Sequence, residues 1–146
     1  MAWQEALQQA LPPGAVVRQS DELHLDPQPR NVGVARTYVA AQAPRLPDED
    51  LHVLLLLTSE LVTNAVVHAR TEIELAVTVT DQDVVVTVHD LDLGRLEQRA
   101  HERDGGRGLG LVRDLAADSG QTVHGGGGKT SWFRLQLPDQ VKEAHS

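Results

Sequence analysis

The stretch Leu51-His-Val-Leu-Leu-Leu-Leu-Thr-Ser-Glu-Leu-Val-Thr-Asn-Ala-Val-Val-His-Ala69 decides how the rest of the chain is read. It contains neither Gly nor Pro, and Pro47-Asp48 stands just ahead of it as a helix start signal. Leu54, Leu61, Val62, Ala65 and Ala69 recur at three- and four-residue spacing, the pattern of a helix with a buried stripe. Beside that stripe, Glu60, Asn64 and His68 follow one another at four-residue intervals and stack along an adjacent face. A carboxylate and an amide one turn apart are suited to a hydrated divalent cation. The same spacing also describes an ordinary solvated face. A glycine loop further on, Gly105-Gly106-Arg107-Gly108-Leu109-Gly110-Leu111, bears on the choice between these readings.

The chain of 146 residues is long enough for one domain with its own core, and its 40% hydrophobic content suits a globular protein. Only 3% is aromatic, so the core is expected to be built from Leu, Val and Ala. A net charge of -8 argues against nucleic acid or an anionic membrane as the main partner. It does not argue against a phosphate compound held by a cation or by loop amides. Without cysteine there are no disulfides and no thiolate zinc sites. Met1-Ala-Trp-Gln-Glu-Ala-Leu7 does not read as a signal peptide, and the aliphatic run Val53–Leu57 is far short of a membrane span. A cytoplasmic location is expected.

Residues 1–20 read as a loosely packed extension, helical or irregular, ended by Pro12-Pro13-Gly14. Residues 21–138 read as the domain and 139–146 as a tail. Asp21–Asp26 alternates like an edge strand, and Val34, Tyr38 and Ala41 mark a first helix from Arg30 to Ala43, before Pro44. After the long helix, Ile73, Leu75, Val77 and Val79 share one strand face. Val84, Val86 and Val88 share another, with Asp81-Gln82-Asp83 as the hairpin turn. The second strand ends at His89-Asp90. The polar segment Leu91–Gly106 reads as a flexible loop or lid.

A helix is expected from about Leu109 to Asp118, with Val112, Leu115 and Ala116 inward and Gly120 as its stop. Strands at Gln121–His124 and Thr130–Leu137 complete the chain. The expected fold is α+β: a two-layer sandwich with a mostly antiparallel, mixed sheet and its helices on one face.

Two glycine-rich decoys fail on their context. His124-Gly-Gly-Gly-Gly-Lys129-Thr130 has Val123 where a Walker phosphate loop needs Gly, and a strand follows it instead of a helix. The same run echoes an esterase oxyanion loop, but no serine sits in a Gly-x-Ser-x-Gly elbow. The seven histidines include no His-Glu-x-x-His zinc-protease spacing. The loop before the third helix is different. Gly106, Gly108 and Gly110 allow a close approach, and the amides of Leu109 to Leu111 open a helix whose dipole favours an anion. At a strand end facing that loop, Asp90 is either an acceptor for the amino group of a base or a turn residue capping the strand.

The order Glu60-x-x-x-Asn64, Asp90-x-x-x-Gly94, Gly106-x-Gly108-x-Gly110 and Gly128-Lys129-Thr130 resembles the GHKL superfamily. This ATP-binding superfamily groups gyrase, a heat-shock chaperone, histidine kinases and MutL, and its nucleotide-binding architecture is the Bergerat fold. Within it, Ser59–Ala69, Gly106–Val112, Ala35-Arg36 and Gly128-Lys-Thr-Ser-Trp-Phe-Arg-Leu135 are most similar to the anti-sigma-factor serine/threonine kinases and their actinobacterial relatives. The resemblance spans residues 21–137. It implies that Asn64 ligates Mg2+ on the phosphates of ATP. It implies that Glu60 acts as general base, or holds the metal through water. Asp90 would then bond the adenine amino group, and Gly94 would belong to the first glycine box. Gly106, Gly108, Leu109, Gly110 and Leu111 would cradle the phosphates, and Thr130 would lie near the adenine or its water.

For His68 the expected role is a helix-end contact to a carbonyl. Asp92 departs from the family by standing where a first-box Gly is expected. The implied partners are a sigma factor and an antagonist protein, with a homodimer plausible. A histidine kinase proper is not expected, because no phospho-acceptor helical hairpin precedes the domain. A non-catalytic sequestering module is the alternative to a kinase.

Overall fold

The computed structural model describes residues 2–91, 107–125, 127–139 and 141. The elements run α1 (Ala2–Ala10), β1 (Val17–Leu25), α2 (Asn31–Gln42), α3 (Asp48–Asn64) and a π-helical turn (Ala65–Ala69). They continue with β2 (Ile73–Thr80), β3 (Asp83–Asp90), α4 (Arg107–Leu115), β4 (Asp118–Val123) and β5 (Lys129–Gln136). The five strands form one sheet in the order β1-β2-β3-β5-β4, and every neighbouring pair is antiparallel. The α+β class is therefore as expected, but the helices are not confined to one face, because α1 packs on the other. The sheet is antiparallel throughout rather than mixed.

Strand alternation builds the inner layer. Ile73, Leu75, Val77 and Val79 of β2, Val84, Val86 and Val88 of β3, and Phe133 of β5 all enter one buried cluster. Leu54, Leu57, Leu61, Val62 and Ala65 of the long helix meet them there. The segment Asp48–Ala69 is long and apolar enough to cross a bilayer, but its apolar stripe forms this core. On α2 the inward residues are Ala35 and Val39, while Val34 is 46% exposed. That corrects the expected stripe by one position. On α4, Val112 is buried but Leu115 is exposed, because the helix ends there. Gly120 is not a helix stop. It lies inside β4, where a Cβ would come within 2.9 Å of the Trp132 ring.

The amino terminus is the largest departure from expectation. From Ala2 onward this stretch is not a loose extension: α1 lies on the outer face of the sheet, opposite α2, α3 and α4. Trp3, Ala6 and Ala10 are buried, and Ala6 and Ala10 pack against Val85 and Trp132. Hydrogen bonds that tie α1 down run from Trp3 Nε1 to Glu22 (2.7 Å), from Thr122 to Gln9 (2.8 Å) and between His124 Nδ1 and Glu5 (3.1 Å). Trp3, Ala6, Leu7 and Ala10 recur at helical spacing, a signal already present in the sequence. β1 also begins inside this stretch, with Val17 opposite Thr80. At the other end, Val141 is buried in the inner core, so the chain is still packed beyond residue 138.

Candidate functional site

The long helix carries Glu60 and Asn64 on the flank that faces α4. Arg36 of α2 donates to Ser59 (3.3 Å), which fixes the opposite flank. On the α4 side, Val53 shares a cavity with Leu115 and Ala116, and Leu61 shares another with Val112 and Arg113. Asn64 lies two turns beyond Leu57 and three beyond Val53, so it belongs to that side. Both Glu60 and Asn64 are half-buried. Neither makes a side-chain hydrogen bond to another described residue. An uncommitted carboxylate and amide one turn apart are free to engage a ligand.

Directly after Asn64 the helix widens into the π-turn Ala65–Ala69, which closes with the Arg70 amide on the Ala65 carbonyl at 3.3 Å. Such turns often occur at functional sites. Arg70 ends it in the left-handed conformation (φ 56°). The wider turn takes His68 out of the four-residue register that Glu60 and Asn64 share.

Helix α4 starts at Arg107, two residues earlier than expected. Arg107, Gly108 and Leu109 therefore occupy the first turn, where amides lack intrahelical acceptors. Gly110 and Leu111 come next. Leu111 sits a full turn in, where a regular helix uses the amide internally. A Cβ on Gly110 would meet only Arg113, at 4.0 Å. Gly94, Gly106 and Asp92, with most of the lid expected over Leu91–Gly106, lie outside the described residues.

The end of β3 holds a feature the sequence reading missed. Asp90 continues the inward series Val84, Val86, Val88 and stands opposite Lys129, the first residue of β5. The Lys129 ammonium is 3.1 Å from Asp90 Oδ2, and both side chains are at most 2% exposed. Gly128 makes this pairing possible. Its φ is +87°, and any Cβ there would overlap the Asp90 carbonyl. The signal was visible as Lys in the Gly128-Lys129-Thr130 closing box, once strand parity is applied to it.

The same parity sends Thr130 the other way. It stands opposite His89 on the outer face, where its hydroxyl meets His124 Nε2 (2.7 Å) and His89 Nδ1 (3.1 Å). Thr130 therefore does not share a face with Asp90, and its expected place beside the adenine is corrected. The two imidazoles pack edge to face, 5.3 Å apart. Burial, reinforced by the neighbouring His124, pushes the His89 pKa below 6.5, against the opposing pull of Glu74 and Asp90.

A family model for the histidine kinase-like ATPase domain matches residues 25–135. The chain belongs to this family. No curated protein is a significant match. Among solved structures, the chain is similar to the RsbU and RsbW domains of Rv1364c from Mycobacterium tuberculosis, with a TM-score of 0.57 and 22% identity. That match covers 80% of this chain and 32% of the other, so this domain spans about a third of its structural neighbour. At such identity the likeness is one of fold.

Family membership makes this an ATP-binding domain, and the residues can be tested for fit to the nucleotide and its metal. Among the described residues no group of three His, Asp or Glu side chains could hold a metal alone. Mg2+ on a nucleotide does not need such a group, because phosphates and water supply most of its oxygen ligands. One amide oxygen at Asn64 with Glu60 nearby fits that requirement. The first-turn amides of α4 fit an anion.

Proposed function

We propose that this ATPase domain is an anti-sigma-factor-like serine/threonine protein kinase, which binds a sigma factor and phosphorylates an antagonist protein. The uncommitted Glu60–Asn64 pair on the α4-facing flank of α3 is the observation that most supports this reading. Bound Mg-ATP would supply the transferable phosphoryl group. Asn64 would lend its amide oxygen to the metal. The first-turn amides of Arg107, Gly108 and Leu109 would donate to phosphate oxygens, helped by the helix dipole. Glu60 would accept the proton of a serine or threonine hydroxyl on the antagonist. Asp90 would be the carboxylate that reads the base.

The acidic chain, with its net charge of -8, favours protein partners over nucleic acid. A cytoplasmic setting follows from that partnership. One observation favours a second reading, a sequestering module with vestigial nucleotide binding: the Asp90 carboxylate is already committed to Lys129.

Transfer of label from γ-labelled ATP to a candidate antagonist separates the two. Glu60→Gln should cut the transfer rate about 100-fold or more while leaving nucleotide binding in place, as expected for loss of a general base. Undiminished transfer by this variant would remove Glu60 from that role. No transfer by the parent, with retained sigma-factor binding, would favour the sequestering module.

A further inference from the structure

We propose that Lys129 is an internal occupant of the base-recognition position at Asp90, and that it sets how tightly and how selectively the domain binds a purine nucleotide. This rests on the ATP-binding reading above and adds to it a residue that determines specificity.

Asp90 and Lys129 face each other across β3 and β5 on the helix-covered side of the sheet, with 3.1 Å between Nζ and Oδ2. Both are buried, so solvent does not screen the pair and neither charge has water to fall back on. The backbone holds them in place. Gly128 brings β5 so close to β3 that a Cβ would overlap the Asp90 carbonyl and come within 2.9 Å of His89 Cε1. Antiparallel pairing continues from there through Asp83 and Gln136. The lysine stem therefore starts beside the carboxylate whatever its rotamer.

An adenine amino group is a neutral hydrogen-bond donor. To bond Asp90 Oδ2 it must displace the ammonium, exchanging an ion-pair contact for a neutral hydrogen bond and moving a buried positive charge away from its carboxylate. The parent protein should therefore gain little from the adenine amino group. A purine with a carbonyl in that position loses nothing by comparison, because the ammonium can donate to it.

The test is calorimetric titration of Mg-ATP and Mg-ITP into the parent, Lys129→Met, Lys129→Gln and Lys129→Met/Asp90→Asn, with folding of each checked by circular dichroism. Inosine carries a carbonyl where adenosine carries the amino group. The parent is expected to bind the two nucleotides within about threefold of each other. Lys129→Met should bind ATP at least about tenfold tighter than the parent does, with no such gain for ITP. Adding Asp90→Asn should abolish that gain.

Lys129→Gln keeps a neutral donor to the carboxylate and guards against a Met variant that does not fold. It should shift selectivity towards ATP in the same direction. Folded Lys129 variants that bind ATP no tighter than the parent would overturn the proposal while leaving ATP binding intact. Absence of ATP binding by the parent and every variant would instead overturn the ATP-binding reading, and this proposal with it.

Discussion

The two faces of the sheet are built on different chemistry. The inner face is largely an apolar surface of Val, Leu, Ile and Phe under three helices, with Asp21 of β1 at one edge and the Asp90–Lys129 pair where β3 ends and β5 begins. Opposite it, the outer face carries Thr78, Thr87, His89, Thr130 and Trp132, all of them buried, under the single helix α1. An aliphatic face is held by area removed from water and tolerates many partners. Buried polar groups call for hydrogen-bond partners, as His124 finds Thr130 and Glu5, while among the described residues Thr87 Oγ1 and Trp132 Nε1 find none. The inner face can therefore host a site at its edge, and the outer face depends on one specific lid.

The largest expected effect strikes where the two faces meet. Gly128→Val places a side chain against the Asp90 carbonyl at a φ of +87°. A loss of roughly 3 kcal/mol or more is expected in chemical denaturation, and a neutral result would mean that β5 does not approach β3 as described. Next, Ala6→Asp puts a charge into the α1 contact with Val85 and Trp132, where Ala6 is fully buried. It should cost on the order of 3 kcal/mol, read as a lowered thermal midpoint. A loose amino terminus would show no change.

A smaller effect is carried by pH. The lowered pKa of His89 means that the folded protein takes up this proton less readily than the unfolded chain does. Stability from this group is full above 6.5 and falls as the pH drops from there towards the depressed folded value. His89→Gln should flatten that part of the stability–pH profile, and an unchanged slope would contradict the assigned burial. The smallest expected effect is that of Gln9→Ala, which removes the bond from Thr122 and should cost about 1 kcal/mol in the same denaturation assay.

This contrast also explains what the sequence could and could not reveal. Alternation in β2 and β3 and the stripe on α3 were legible because burial imposes a period, and the period survives without any knowledge of the partner. The placement of Glu60 and Asn64 beside the same stripe followed from helical geometry. Helix α1 was misjudged because its apolar face is small, two alanines with Trp3 and Leu7, and because its hydrogen bonds go to residues far along the chain. Thr130 was misplaced for a simpler reason. Alternation carried back from Leu135 and Phe133 sends Lys129 inward and Thr130 outward, and the pairing with β3 agrees. The π-turn after Asn64 left no periodic trace, since one widened turn moves only the few residues that follow it.

The most direct measurement is Mg-ATP titration of the parent against Asn64→Ala, followed by calorimetry. If the α3 flank holds the nucleotide's metal, the parent binds in a magnesium-dependent way and Asn64→Ala loses at least about tenfold in affinity, while Ala6→Asp, where folded, retains it. Equal affinity of parent and Asn64→Ala, with or without magnesium, would contradict that placement.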